Sequence, residues 1–166
     1  MKKILLIIAA ALLMNSCGIY SFSGTSIQPD VKSVTIPFAE YKALRVNPSL
    51  SNDLTEAMME RFRRMTKLEQ VEQDGDLLLE MTITGYDVSA TAVTADEVAA
   101  RNRLTVTVSV NFTNRLHPDN DFSAKSFSAY SDYDSTNSLD SVESTLCKEI
   151  IDKLIEDIFN ASVAQW

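Results

Sequence analysis

Few side chains in this sequence are of a type and spacing suited to chemistry. Asp132 and Asp134 flank Tyr133, and Asp87 follows a run of strand-like residues. Paired carboxylates can exchange protons or hold a divalent cation. These lie in turn-like sequence, where solvated surface charge is the simpler account. The one histidine, His117, sits in Leu116-His117-Pro118-Asp119-Asn120-Asp121 and reads as an exposed turn residue. One histidine and two cysteines support neither a histidine-based mechanism nor a metal centre. The four glycines build no phosphate loop and no nucleophile elbow. Asn111-Phe112-Thr113 and Asn160-Ala161-Ser162 fit the glycosylation pattern, but the first falls inside a strand, and both are discounted. The residues predict no enzyme and no cofactor.

One thiol does carry chemistry. Lys2 and Lys3 precede an apolar run from Ile4 to Met14, 11 residues long, which is the charged and apolar pattern of a secretory signal. A run of that length is too short for a bilayer, which takes about 20 residues. Small Ser16 before Cys17 then has the form of a bacterial lipoprotein cleavage site, with Met14 where leucine is usual. The sulfur of Cys17 would carry the lipid, palmitate among its acyl chains, and become the new N-terminus. A secreted protein with a chance cysteine at that place is the alternative. Each buried CH₂ is worth about 0.8 kcal/mol, so two or three acyl chains anchor a domain stably. The expected organisation is a signal over 1–16, an anchor and tether over 17–30, and one domain over 31–166.

With 15 basic and 23 acidic residues the chain has a net charge of −8, and the signal takes two lysines with it. Nucleic acid is excluded as a partner on that balance, and docking on an anionic surface through a basic patch is disfavoured. If Cys17 is acylated, Cys147 has no partner for a disulfide.

The elements follow from periodicity. Val31–Phe38 is β-branched and stops at Pro37, which predicts a first strand near a sheet edge. Asn47-Pro48 predicts a helix start, after which Leu50, Leu54, Met58, Phe62 and Met65 form an apolar stripe. Asp74-Gly75-Asp76 is a turn. In the second strand, residues 77–86, Leu77, Leu79, Met81 and Ile83 face one way, and Leu78, Glu80, Thr82, Thr84 and Tyr86 the other. A loop over 87–101 carries Asp96 and Glu97. In the third strand, 103–115, Leu104, Val106, Val108, Val110 and Phe112 alternate strictly with Thr105, Thr107, Ser109, Asn111 and Thr113. A fourth strand over 122–133 turns Phe127 and Ala129 inward. Asp140 and Glu143 suggest a capping box for a last helix over about 141–159, with Cys147 on its buried side. The order β-α-β-β-β-α predicts an α+β two-layer sandwich, a four-stranded, mostly antiparallel sheet with two helices on one face.

Several stretches in this order resemble the lipopolysaccharide-assembly lipoprotein family LptE, in particular its Bacteroidetes forms. They are Cys17-Gly18-Ile19-Tyr20-Ser21-Phe22-Ser23-Gly24-Thr25, the strand 31–38, Asn47-Pro48-Ser49-Leu50, Arg103-Leu104-Thr105-Val106-Thr107-Val108, and Phe122-Ser123-Ala124-Lys125-Ser126-Phe127-Ser128. The resemblance covers the whole mature chain. It implies a protein anchored to the inner leaflet of the outer membrane through Cys17, facing the periplasm. It also implies insertion into the lumen of the β-barrel LptD, barrel assembly, and passage of lipopolysaccharide to the surface. Gly18 after the cysteine is compatible with that sorting.

Lumens of large barrels are polar. The uncharged face Thr105, Thr107, Ser109, Asn111 and Thr113 could pack there without burying a charge, or be an ordinary solvated sheet face. In the family, lipid A phosphates are attributed to basic residues in the loop after the second strand and before the last helix. Here those segments are Ala92-Val93-Thr94-Ala95-Asp96-Glu97 and Asp132-Tyr133-Asp134-Ser135, leaving Arg101, Arg103 and Lys125 as lipopolysaccharide-contact candidates. The other open reading is a periplasm-facing adaptor or small-ligand binding module without a barrel partner.

Overall fold

A computed structural model describes residues 26–91 and 101–163. The signal, Cys17, Tyr20, Phe22, the acidic stretch 92–97 and Trp166 lie outside the described residues. Among the described residues there are six strands and two α-helices: β1 (Ser33–Thr35), β2 (Glu40–Tyr41), α1 (Leu50–Met65), β3 (Glu69–Gln70), β4 (Leu77–Thr91), β5 (Arg101–Asn114), β6 (Phe122–Asp134) and α2 (Leu139–Val163). One sheet runs β3-β1-β4-β5-β6, with β2 also paired to β4.

The α+β class and the two helices agree with the sequence, but the sheet differs in two ways. It has six strands, not four, because Pro37 interrupts the first run. Proline has no N–H for the ladder, so the chain pairs with β4 as β1, breaks at 36–39, and pairs again as β2. The sheet is also mixed. After α1 crosses over, the chain re-enters along the outside of β1 as β3, which must then run parallel to it. Only β4–β5–β6 is antiparallel.

Gly75 makes the return from β3 to β4 possible. A Cβ there would lie 2.7 Å from the backbone nitrogen of Thr35, so only glycine allows the turn to cross β1 so closely. Asp74 before it has φ 56°. Asp76 then fastens the crossing: one carboxylate oxygen accepts the N–H of Lys32 (2.8 Å), the N–H of Ser33 (3.0 Å) and the hydroxyl of Ser33 (3.0 Å). These donors, with Arg115 nearby, hold the Asp76 carboxyl below the usual carboxylate range.

The long hairpin β4–β5 absorbs both ends of the expected loop, since pairing continues from Asp87↔Thr105 to Thr91↔Arg101. A bulge between Ile83 and Gly85 changes the parity of β4. Leu77, Leu79, Met81 and Ile83 face inward as expected, but beyond the bulge Tyr86 turns inward too and is 2% exposed. The expectation that Tyr86 shares a face with Glu80 is thus overturned.

The helices lie on the inner face. Leu50, Leu54, Met58 and Phe62 of α1 meet Ile150, Leu154, Ile158 and Phe159 of α2, with Phe62 and Phe159 edge to face at 5.1 Å. Each such side chain contributes about 1.5–3 kcal/mol on burial. The helix starts differ from expectation. α1 begins at Leu50 rather than Pro48, but Asn47 still serves as cap, its Oδ1 accepting the N–H of Ser49 (3.1 Å) and of Leu50 (3.2 Å). The capping box does not form. Asp140 lies inside the first turn of α2, and Glu143 instead accepts the phenol of buried Tyr86.

That bond belongs to a junction tying four segments together. The Asn47 amide donates toward Tyr86 Oη (3.5 Å) and Cys147 Sγ (3.7 Å), and the Asn47 N–H to Tyr41 Oη (3.1 Å). Burial, reinforced by Glu143, pushes the Tyr86 phenol above its ordinary range, and burial likewise raises the Cys147 thiol. Cys147 is 4% exposed and, as the periodicity predicts, is a core residue.

Candidate partner-binding face

The helices cover one side of the sheet and leave the other to be read from the strands. On β5 the outward residues are Thr105, Thr107, Ser109, Asn111 and Thr113, so the structure brings the five expected residues onto one face. Their neighbours extend it. Thr107 stands opposite Ser128, and Ser109 lies between Thr82 of β4 and Ser126 of β6. Thr82, Ser126 and Ser128 were not singled out from sequence, although the alternation of their strands carries the signal.

Hydroxyls on this face bond along it. Thr107 Oγ1 and Ser128 Oγ are 3.2 Å apart, and Ser128 Oγ donates to the Val106 carbonyl at 3.4 Å. Asn111 plays a different part. Its Oδ1 accepts the N–H of Ala124 (2.8 Å), holding the irregular end of β6 where Ala124 takes φ 51°. Its Nδ2 reaches Glu80 at 3.5 Å.

Charge borders the face: Glu40 of β2, opposite Thr82 and paired with Lys42 at 2.6 Å, stands along its flank, and the other charges stand at its ends. Glu80 stands at one end, opposite Asn111, and Asp87 stands opposite Thr105 toward the other. Beyond it Arg103 makes a bidentate pair with Asp132 (2.7 and 3.0 Å) while its guanidinium lies 3.6 Å from the Tyr130 ring centroid. The pair holds the Asp132 carboxyl down and raises the Arg103 guanidinium. Asp134 accepts the N–H and hydroxyl of Thr136 (2.8 and 2.7 Å). Asp132 and Asp134 are therefore strand-end residues with partners, not a free pair.

The three basic candidates are not brought together. Arg101 is exposed at the start of β5, opposite Asp134. Arg103 is already neutralised by Asp132. Lys125 pairs with Val110, nine residues further along β5 or roughly 30 Å away, on the opposite face, over Phe122 (5.0 Å) and Phe127 (5.5 Å). No phosphate could touch all three.

His117 is bonded to the Asp30 carboxylate at 2.8 Å and lies half-buried beside residues 26–30. Those residues pack on the domain: the Ser26 N–H donates to the Val163 carbonyl at 2.8 Å, and the Asn114 amide to Gln28 at 3.3 Å. Among the described residues, no group of three or more His, Cys, Asp or Glu side chains is placed to hold a metal ion. No helix among them is long and apolar enough to cross a membrane.

Comparison with known proteins adds to this geometry. The model of the lipopolysaccharide-assembly family LptE matches residues 31–162. A hypothetical protein of Chlamydia trachomatis has a similar solved structure, with TM-score 0.51 and 9% identity over 78% of this chain and 94% of its own. An uncharacterized lipoprotein B of Nitrosomonas europaea matches at TM-score 0.51 and 11% identity, over 77% of this chain and 79% of its own. A minor lipoprotein of Acinetobacter baumannii reaches 0.49 at 16% identity, over 77% and 89%. The first two show a shared fold. No curated protein is significantly similar in sequence.

Proposed function

The chain belongs to the lipopolysaccharide-assembly family LptE, and from that premise we propose that it is a non-catalytic outer-membrane lipoprotein that sits inside an LptD-type β-barrel. It is held to the membrane through acyl chains on Cys17. It supports the barrel during assembly and during transfer of lipopolysaccharide to the surface. The observation that carries this reading is the uncharged centre of the outer sheet face, Thr82, Thr107, Ser109, Ser126 and Ser128, bordered by charge at its ends and by the Glu40–Lys42 ion pair along its β2 flank. Such a face can enter a polar lumen without desolvating an unpaired ion. Arg103 and Lys125 do not support a phosphate clamp, because one is paired and the other faces away.

The test is a mild-detergent pull-down of the tagged, lipidated chain from its native outer membrane, with photo-crosslinkers placed at Ser109, Ser128 and, as a control, exposed Asp152 on α2. A large β-barrel co-eluting in stoichiometric amount and crosslinking from Ser109 and Ser128 but not from Asp152 is expected. Elution alone, under conditions that keep barrel complexes intact, overturns the barrel reading in favour of the adaptor. Crosslinks from Asp152 only would move the interface to the helices.

A further inference from the structure

We propose that the groove between residues 27–32 and the C-terminal end of α1 docks onto the anionic phospholipid headgroups of the leaflet that holds the anchor; this rests on the lipidation of Cys17 in the function proposed above. The groove has a volume of about 500 Å³. Its floor includes Ile27, Val31 and Leu68, and Lys32, Arg64 and Lys67 line it with no carboxylate among its residues. None of the three cations forms an ion pair among the described residues, and all three are exposed. Of the nearby acids, Glu60 is engaged with Arg63 and Asp30 with His117, while Glu69, whose N–H donates to the Lys32 carbonyl (2.9 Å), stands at the edge of the groove outside its lining.

A helix C-terminus favours basic residues through its carbonyl dipole, which accounts for Arg63 and Arg64 in isolation. It does not account for the set. The Phe62 carbonyl is already capped by the N–H (3.0 Å) and hydroxyl (2.7 Å) of Thr66. Lys32 and Lys67 lie off the helix, brought to the groove by the segment before β1 and the one after α1.

The course of the chain identifies the occupant. Ser26 is bonded to Val163, and Ile27 after it already lines the groove. Eight residues separate Cys17 from Ser26, a reach of at most about 30 Å even fully extended. An acylated Cys17 therefore keeps this end of the domain near the bilayer, at an effective concentration of headgroups that free phosphate does not match. The negative potential of such a surface extends about one Debye length, roughly 8–10 Å. Within it each Lys or Arg strengthens binding about fivefold, so three favour the docked orientation by on the order of a hundredfold. The overall acidity of the chain does not oppose this, because Lys32, Arg64 and Lys67 are gathered at the tethered end in a groove lined by no carboxylate.

The experiment uses the full mature, lipidated chain in vesicles of phosphatidylcholine alone or mixed with phosphatidylglycerol. A thiol-reactive fluorophore is placed at Glu69→Cys beside the groove or at Asn52→Cys at the other end of α1, with a quencher on the lipid headgroups. Buried Cys147 and acylated Cys17 leave the new thiol as the reactive one. We expect quenching at position 69 that rises with phosphatidylglycerol and little at position 52. Lys32→Glu with Arg64→Glu and Lys67→Glu should abolish the rise, and the charge-keeping set Lys32→Arg, Arg64→Lys, Lys67→Arg should preserve it. Quenching that ignores phosphatidylglycerol, survives charge reversal or is equal at both positions overturns the groove. A chain retained on vesicles without quenching at 69 overturns the groove alone, whereas a chain not retained at all overturns the anchor and the groove together.

Discussion

Ser109→Asp separates a binding face from a merely solvated one. Ser109 lies mid-β5 between Thr82 and Ser126, with Thr107 and Asn111 beside it on the same strand. The cations around this face are engaged or distant: Lys42, next to β2, is already paired with Glu40 at 2.6 Å, Arg103 is six residues away along β5, roughly 20 Å, and Lys125 is turned to the other side. In the free domain the new charge stays solvated and costs below about 1 kcal/mol, mostly strand propensity. Inside a barrel lumen it would be desolvated without a partner, at about 2–5 kcal/mol. At 1.4 kcal/mol per tenfold, the complex should weaken by roughly thirtyfold to several thousandfold. The assay is barrel recovery in a mild-detergent pull-down beside thermal unfolding of the same variant, with neutral Ser109→Asn and distant Asp152→Lys as controls. Wild-type recovery with Ser109→Asp would refute the interface. Loss of barrel together with a matching loss of fold would refute the claim that the face is dispensable for folding.

Three further predictions concern the fold that holds this face. Tyr86→Phe removes a charge-assisted bond to half-buried Glu143 and should cost about 1.5–2 kcal/mol; in a double-mutant cycle with Glu143→Gln by urea unfolding, additive effects would contradict the bond. Gly75→Ala places a Cβ 2.7 Å from the Thr35 backbone nitrogen and should destabilise by about 1–3 kcal/mol, read as a lowered thermal midpoint, with an unchanged midpoint refuting the close crossing. Asp76 has its folded pKa depressed, so its contribution is complete above the unfolded carboxyl pKa and lost as pH falls through the lower folded value. Asp76→Ala should accordingly flatten the acid limb of a stability–pH profile, and an unchanged limb would remove Asp76 from the account.

Much of the fold was legible because it rests on alternation and helical stripes. β5 reads almost without error: five inward apolar residues and five outward polar ones, all as placed. What the sequence hid were features that depend on two segments meeting. The bulge at Gly85 changes the parity of β4, and a lone glycine is its one local mark, so strict alternation makes Tyr86 an outward tyrosine while its hydroxyl bonds Glu143 on α2. Glu143 likewise has the spacing of a capping box but is drawn off by a stronger, buried partner. β2 and β3 are two residues each and have no period of their own; they exist because Pro37 splits the first extended run and α1 returns the chain beside β1. Charge shows the same division. The sum of the chain is acidic, which argues against a basic patch, yet Lys32, Arg64 and Lys67 come from three segments and meet only after folding.

On the function proposed above, the composition of the outer face follows from having to survive two environments. An apolar face of that width would drive free chains to associate edge to edge and face to face before any partner was met. A charged face would remain soluble but would have to shed its hydration, or find a matched ion at every position, on entering a lumen. Threonine and serine avoid both costs. They favour extended backbone or tolerate it, bond to neighbouring carbonyls and hydroxyls as Thr107 and Ser128 do, and exchange water for a partner's polar groups at little net change. Charge can then be kept where it is paired or capped, as in Arg103–Asp132 at the end of the face. A sheet built this way is equally compatible with solvent and with a polar wall, and for that reason its stability cannot distinguish the two; only a perturbation that is harmless in water and costly in the wall, a lone carboxylate at Ser109, does so.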